Sequence, residues 1–587
     1  MATEPSSDSS TNVRAAAGDP PVQINGTTVP STSPPAVTGT TADGKTTFSQ
    51  ELFRVGDVSI TRDQVMGGDQ FADKVVLNTG PGKDNVTVDQ RADGVLDVQI
   101  NGKKYEITLG PGQELGVRTG DGDDIIKATP KVTVNMDVDS GAGNDTVTTG
   151  SGRDRVDGGA GNDTIKTGAG RDDVFGNAGN DIIDAGDGND VVYGGDGNDT
   201  LRGAKGNDYL EGGKGNDVLE GGQDNDILSG GLGNDTVRSG QGNDRIYTGA
   251  GADKVDNQSG NDTVYGQSAA DTITAAKGAK NDLKEVNMDT TIGASVTVQG
   301  SAAFQQRVDA DIEMLRSSPN GRQMLTELDR AADPTKGNGK SVTITELQNE
   351  QNGSAGPVTA PTYLRTNAAG VTTAGTGADT TVQYNPSFHT ESFQIPLATA
   401  YHELSHAYNG VNGTAQRGTY TGRAGDPDTG VNNDERQAVG LNNSGVAFDF
   451  DRNPATPNTT ANPAALTENG LRAEMGVPLR PNYGISINPT GATPLWAAAP
   501  SAETTPIVAS AASMDPHLGK MMEAMQSGDP NALRTATQSL ASSQFGQEFR
   551  SQGAAAVGRQ EQIETKQQQL PQLQVDQPAA VSTGSRM

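Results

Sequence analysis

The chain has 587 residues, of which 77 are glycine, 32% are hydrophobic and 4% aromatic, so one large compact core is excluded. It has no cysteine, which removes disulfide staples, thiolate metal sites and thiol catalysis. With 74 acidic against 44 basic residues, the net charge of −30 disfavours nucleic acid and anionic membranes and favours multivalent cations as partners.

No apolar run approaches the roughly 18 to 20 residues of a membrane span. The N-terminus also lacks the basic and apolar segments of a cleavable signal, so any export is expected to use another route. Residues 1–46 are rich in Ser, Thr, Pro, Gly and Ala and cannot bury enough apolar surface to offset ordering entropy. They are predicted to be a disordered tail or an unstructured export segment. From 47 to 140, short alternating runs such as Leu96-Asp97-Val98-Gln99-Ile100, followed by Asn101-Gly102, predict a small β region with a hairpin. Gly120-Asp121-Gly122-Asp123-Asp124 echoes the repeats that follow, so this region is expected to cap them.

From 141 to 275 the period is nine. Asp recurs fifteen times without a slip, from Asp145 to Asp271, and an aliphatic follows two residues after each, as in Val147, Ile165, Leu201 and Ile273. The best copies read Gly194-Gly195-Asp196-Gly197-Asn198-Asp199-Thr200-Leu201-Arg202 and its relatives. This stretch resembles the RTX, or hemolysin-type, calcium-binding nonapeptide repeat. Glycines permit tight turns, the aliphatics point inward from short strands, and each Asp offers oxygen to a hard cation. The expected fold is a parallel β-roll. Its candidate calcium ligands are Asp145, Asp163, Asp181, Asp190, Asp199, Asp208, Asp217, Asp226, Asp235 and Asp244. Residues 141–275 carry 24 acidic against 10 basic side chains, so calcium binding is expected to be folding. Arg153, Arg171, Asp224 and Gln267 to Ala270 depart from the repeat, and their coils are expected to hold calcium less well.

Residues 290–490 are predicted to form an α+β domain. Val308, Ile312 and Leu315 share one face of a helix that ends near Ser318-Pro319-Asn320-Gly321, with helix resuming from Met324. Thr380-Thr381-Val382-Gln383-Tyr384 reads as a strand, and Val382 to Tyr384 is the expected substrate-holding sheet edge. Next comes Tyr401-His402-Glu403-Leu404-Ser405-His406 on a helix starting near Pro396 and stopping near Gly410. Two His four residues apart stand on one helix face and can share a metal ion, while Glu403 is placed to act as general base. Zinc, the expected metal, needs a third protein ligand. Position 412 is Asn, so a carboxylate is preferred among Asp426, Asp434, Glu435, Asp449, Glu468 and Glu474; the first choice is Glu435, at a predicted helix start.

Residues 300 to 485 resemble the NleD-like effector zinc proteases. The likeness rests on Ser317-Ser318-Pro319-Asn320-Gly321, Tyr384-Asn385-Pro386, His402-Glu403-Leu404-Ser405-His406, Glu435-Arg436-Gln437-Ala438-Val439-Gly440 and Arg480-Pro481-Asn482-Tyr483. It implies a zincin-like fold and delivery by type III secretion against host signalling proteins. The Arg-x-x-Tyr element is also similar to that of clostridial neurotoxin light chains, which implies that Tyr483 donates to the oxyanion and that Arg480 holds the substrate carbonyl or the tyrosine. None of these candidates lies in the repeats, so the enzyme is expected to be separable from the roll. Residues 491–570 are predicted to be mostly helical and 571–587 to be a disordered tail. The expected whole is a secreted calcium-binding zinc endopeptidase acting on protein substrates, exported by type I or type III machinery. The competing reading is a non-enzymatic calcium-binding adhesion protein with a vestigial metal helix.

Overall fold

The computed structural model describes residues 23–24, 27–28, 36–40, 46–66, 73–275, 280–347, 353–356, 363–367, 369–385, 395–422, 427–450, 452 and 458–480. Tyr483, Asp426 and the segments 491–570 and 571–587 lie outside the described residues.

The nine-residue period becomes half a coil. Successive strands fall alternately on two sheets, so each residue pairs in parallel with the one eighteen positions on. Val156, Val174, Val192, Leu210, Leu228, Ile246 and Val264 stack in one column. Val147, Ile165, Ile183, Leu201, Leu219, Val237 and Val255 stack in the other, and all of these side chains are buried between the sheets. Only glycine allows coils to stack this closely at the turns. Gly206 has φ of 120°, and a Cβ there would stand 1.4 Å from the Gly188 carbonyl oxygen.

Parallel pairing already begins at Asp73–Asn78 and Asn85–Gln90, so the roll starts within the region expected to cap it. Beyond those strands both sheets continue as antiparallel hairpins. Leu96–Ile100 and Lys103–Thr108 are joined through Asn101 (φ 50°) and Gly102 (φ 80°), the pair of positive angles that a two-residue turn requires. Within 1–46, which reads as disordered, the hairpin of Gln23–Ile24 and Thr27–Thr28 extends one sheet and Ala36–Thr40 ends the other. A sheet edge offers free backbone groups, so a polar segment can pair there without a core of its own.

The roll's two outer faces differ. One carries Lys166, Asp184, Arg202, Glu220, Arg238 and Asp256 side by side, alternating in sign and open to water. The other carries Phe175, Tyr193, Tyr247 and Tyr265 in one column and Val191, Tyr209 and Ile227 in the next, all buried.

The second face is covered by the C-terminal helix/strand domain. This has a four-stranded sheet in the order Val296–Gln299, Val342–Glu346, Thr380–Tyr384, Gly353–Gly356, with only the last strand antiparallel. Its helices are α1 (Ala302–Ser317), α2 (Pro319–Ala332), α3 (Pro396–Asn412), α4 (Asn433–Val439) and α5 (Glu468–Met475). Three expectations are corrected. Helix resumes at Pro319 rather than Met324, because Ser318 caps it by accepting from the Gly321 N–H, and proline suits a first helical position. Helix α3 runs past Gly410 to Gly413 (φ 70°), and Gly410 instead lets the helix approach Thr380, whose Oγ1 would lie 2.6 Å from a Cβ. Strand Thr380–Tyr384 is not a sheet edge, since Gly353–Gly356 pairs along it.

The domain also packs directly on the roll. One apolar cluster joins Phe175, Tyr193, Tyr209 and Tyr247 of the roll to Val308, Ile312 and Leu315 of α1 and onward to Leu404 of α3. Arg307 lies 3.9 Å over the Phe175 ring and donates to Asp157 at 2.9 Å, and the Tyr193 hydroxyl donates to Asp311 at 3.2 Å.

The roll's inward column should dominate its stability. Leu201→Ala, at a fully buried position, is expected to cost about 2–5 kcal/mol in denaturant melts of the calcium-loaded protein, whereas Arg202→Ala on the charged outer face should change stability by less than about 0.5 kcal/mol. Equal effects would show that the column is not the core.

Candidate functional site

Helix α3 is buried on nearly every side, which is why it can be apolar around His402 and Glu403, each 6% exposed. His402 and His406 lie one turn apart with ring planes 80° to each other. The short helix α4 brings Glu435 across from them. His402 Nε2 and His406 Nε2 are 3.1 Å apart, and Glu435 Oε2 lies 3.3 Å from the first and 3.2 Å from the second. Three donors on so small a triangle could hold a metal ion. Ligands about 2.0–2.1 Å from a tetrahedral ion are themselves about 3.3–3.4 Å apart, so the triangle fits zinc with little adjustment.

The second ring nitrogen of His402 fixes its tautomer. Nδ1–H donates to Glu468 Oε2 at 3.1 Å, so Nε2 is the nitrogen turned towards Glu435 and His406, where a metal ion would take the place of its proton. Glu468 is fully buried and takes Arg480 Nη1 at 2.8 Å on the same oxygen and Arg472 Nη1 at 3.3 Å on the other. Arg480 therefore stands behind His402, buried, with its backbone N–H donating to Asn469 Oδ1. Glu435 is steadied through its neighbour: Arg436 pairs with buried Asp428 and stacks 3.8 Å over the Tyr420 ring. Gln437 donates to Asn409 of α3 and to Asn462, pinning α4 to the metal helix.

Electrostatics point the same way. Burial alone would depress the His402 imidazole, but Glu435 and Glu468 outweigh it and raise its pKa to about 10. Burial opposes ionisation of Glu435, yet His406 and His402 hold its carboxyl well below the usual range. The space between these groups thus favours positive charge. Burial raises the Glu403 carboxyl, opposed by His402 and His406, so Glu403 lies within the field of the cluster.

The other carboxylates considered as ligands are placed elsewhere. Asp434 accepts the Glu435 N–H, Glu468 backs His402, and Glu474 accepts from the Tyr247 hydroxyl and the Asn320 N–H. Asp449 is half-buried outside the group. Asn320, from the Ser-Pro-Asn-Gly turn, also donates to Gly470 of α5, and its carbonyl accepts from Tyr401 of α3. That turn therefore joins three helices around the site, a role its spacing alone does not reveal.

The roll carries the second set of acidic groups. Asp145, Asp163, Asp181, Asp190, Asp199, Asp208, Asp217, Asp226, Asp235 and Asp244 are all buried. Each accepts, through Oδ1, the backbone N–H of an Asp one coil earlier, as Asp181 does from Asp163 at 2.7 Å. Their Oδ2 atoms find no donor in the protein, nor do those of Asp124, Asp154, Asp172, Asp253 and Asp262. These oxygens face carbonyls: a Cβ on Gly176 would meet Asp181 Oδ2 at 2.5 Å and the Gly194 carbonyl at 2.6 Å. A buried anion beside carbonyl oxygens, with no donor, suits a hard cation. At the ends the pattern changes. Asp271 Oδ2 accepts from Thr248 and the Gln267 N–H, and Asp84 accepts from Thr79 and Asn101, so hydrogen-bond donors close the ladder. The echo at Gly120 to Asp124 and the departure at Gln267 to Ala270 are the sequence signals of these two ends.

Residues 292–483 match the family model Peptidase_M91, described as an effector protein. Six overlapping segments between residues 139 and 279 match the RTX calcium-binding nonapeptide repeat. No curated protein and no solved structure matches the chain. The chain thus carries a calcium-binding RTX roll followed by an effector-family peptidase domain.

Burial raises the folded-state pKa of Asp163 to about 7, of Asp190 and Asp217 to about 8, and of Asp226 to about 9. Raised carboxyls stabilise a metal-free fold fully only below their unfolded pKa of about 4, and that stability is lost as pH climbs through 7 to 9. Without calcium, circular dichroism should therefore show β structure falling between pH 5 and 9, and millimolar calcium should restore it at pH 8. A calcium-free roll equally folded at both pH values would contradict the ladder's role.

Proposed function

We propose that this chain is a secreted effector whose C-terminal domain is a zinc-dependent endopeptidase acting on host proteins. The observation that carries the reading is the triangle of His402, His406 and Glu435, with Glu468 fixing the tautomer of His402. In this reading those three residues hold zinc, which when bound supplies a Lewis acid for the scissile carbonyl and lowers the pKa of water. Glu403 takes the proton of the attacking water and passes it to the leaving amine, as burial and its place beside the first ligand suit it to do. Arg480 acts through Glu468 as a positioning residue, and Tyr483 is proposed to donate to the oxyanion. Strand Gly353–Gly356, antiparallel at the sheet edge, is the place for an extended substrate.

The RTX roll, with its orphaned carboxylate oxygens, suits a protein that folds where calcium is abundant, outside the producing cell. The net charge of −30 argues against nucleic acid as a partner, and no helix among the described residues is long and apolar enough to cross a membrane.

Two substitutions separate the roles. Glu403→Gln should lower peptide cleavage by roughly 10²- to 10⁴-fold while zinc stays bound, because the amide keeps the size but cannot take a proton. Glu435→Ala should instead release the metal, read by metal analysis after dialysis, since two His alone hold zinc poorly. A Glu403→Gln enzyme as active as the parent would leave the calcium-binding adhesion reading in possession.

A further inference from the structure

Helix α5 has only eight residues, too few to persist on its own. Its first residue is Glu468, on which His402 Nδ1–H is seated. Its far end is fastened to the roll. The Glu474 carbonyl, one of the helix's terminal acceptors, takes Arg245 Nε at 3.1 Å and the Tyr265 hydroxyl at 3.3 Å. The Glu474 carboxylate takes the Tyr247 hydroxyl at 3.2 Å on one oxygen and the Asn320 N–H at 3.0 Å on the other. Tyr247 and Tyr265 are stacked 4.7 Å apart on the outer face of adjacent coils.

Those coils belong to the carboxylate ladder. Asp244 immediately precedes Arg245 and stands three residues before Tyr247; Asp262 stands three residues before Tyr265. Both aspartates are buried with Oδ2 lacking a protein donor. The turn that places Arg245 and Tyr247 is therefore one whose aspartate accepts the Asp226 N–H through Oδ1 and keeps Oδ2 for a cation.

We propose that the calcium-ordered coils around Asp244 and Asp262 clamp α5 through Glu474, so that calcium, acting far from the peptidase centre, sets the position of Glu468 and hence of His402. The proposal rests on the metallopeptidase reading above and adds its control: the centre is assembled where calcium is plentiful and slack where it is scarce. Glu474 and Tyr247 are positioning residues, touching neither metal nor substrate.

The test uses the full chain in calcium-free buffer and in millimolar calcium, with Zn²⁺ alone as the metal probe. Zinc affinity is measured by competition with a chromogenic chelator, hydrogen exchange is followed at residues 468–475, and circular dichroism reports folding of the roll. In the parent, calcium should raise zinc affinity about tenfold or more, the scale on which outer partners of metal ligands act, and should slow exchange in α5. Glu474→Ala should lose most of both gains, and the conservative Tyr247→Phe part of them, while calcium still folds the roll. Unchanged exchange in 468–475 while the roll folds, or full gains in both variants, would overturn the clamp. A parent that binds no zinc in either buffer would sink the metallopeptidase reading instead, and exchange in α5 would still decide the clamp.

Discussion

Everything in this molecule hangs on a buried carboxylate with one oxygen satisfied and one not. From Asp124 to Asp262 each turn aspartate caps a backbone N–H one coil away through Oδ1 and leaves Oδ2 without a donor in the protein. Burying an unpaired carboxylate costs several kcal/mol, so a run of them opposes folding unless protons or cations intervene. The aliphatic columns alone are thin, with one side chain per half-coil. The roll is thus built to be conditional. Its ends are not: Asp84 and Asp271 spend both oxygens on protein donors, which terminates the ladder without leaving a half-site exposed.

The second consequence comes from the strand's two-residue period. Inward columns must be aliphatic, but the two outer faces are free to differ. One carries a row of alternating charge whose members pair along the coils. The other collects aromatics at eighteen-residue spacing and becomes the floor of the peptidase domain. Aromatic rings bury large areas and keep a polar tip, so Tyr193, Tyr209 and Tyr247 supply both packing and hydrogen bonds to Asp311, Glu211 and Glu474.

What could be read from sequence follows physical range. The β-roll, its aliphatic columns and the Asn101-Gly102 turn are local patterns with fixed periods, and they appear in the structure as expected. The His402 and His406 pair is likewise local, set by one helical turn. Glu435 comes from another helix 29 residues on, and only its place at a helix start singled it out among six carboxylates. The interface was hidden because its signal has a period of eighteen, twice the repeat, and is shared between two columns. Phe175, Tyr193, Tyr247 and Tyr265 look like scattered aromatics until the coils are stacked.

The carboxylates of α5 show why spacing could not rank the site's residues. Glu468 and Glu474 were equal candidates for a ligand, being acidic and downstream of the metal helix. The difference lies in what each oxygen already has. Glu468 is fully buried between two arginines and an imidazole, so moving it to the metal would strand Arg480 and Arg472 without their acceptor, a penalty larger than one more ligand would repay. Glu474 is committed to Tyr247 and the Asn320 N–H on the opposite end of the helix. Glu435 faces two imidazoles. The three carboxylates thus differ in the partners each already has. That is a property of the folded neighbourhood, in which the roll, α5 and the turn at Asn320 meet.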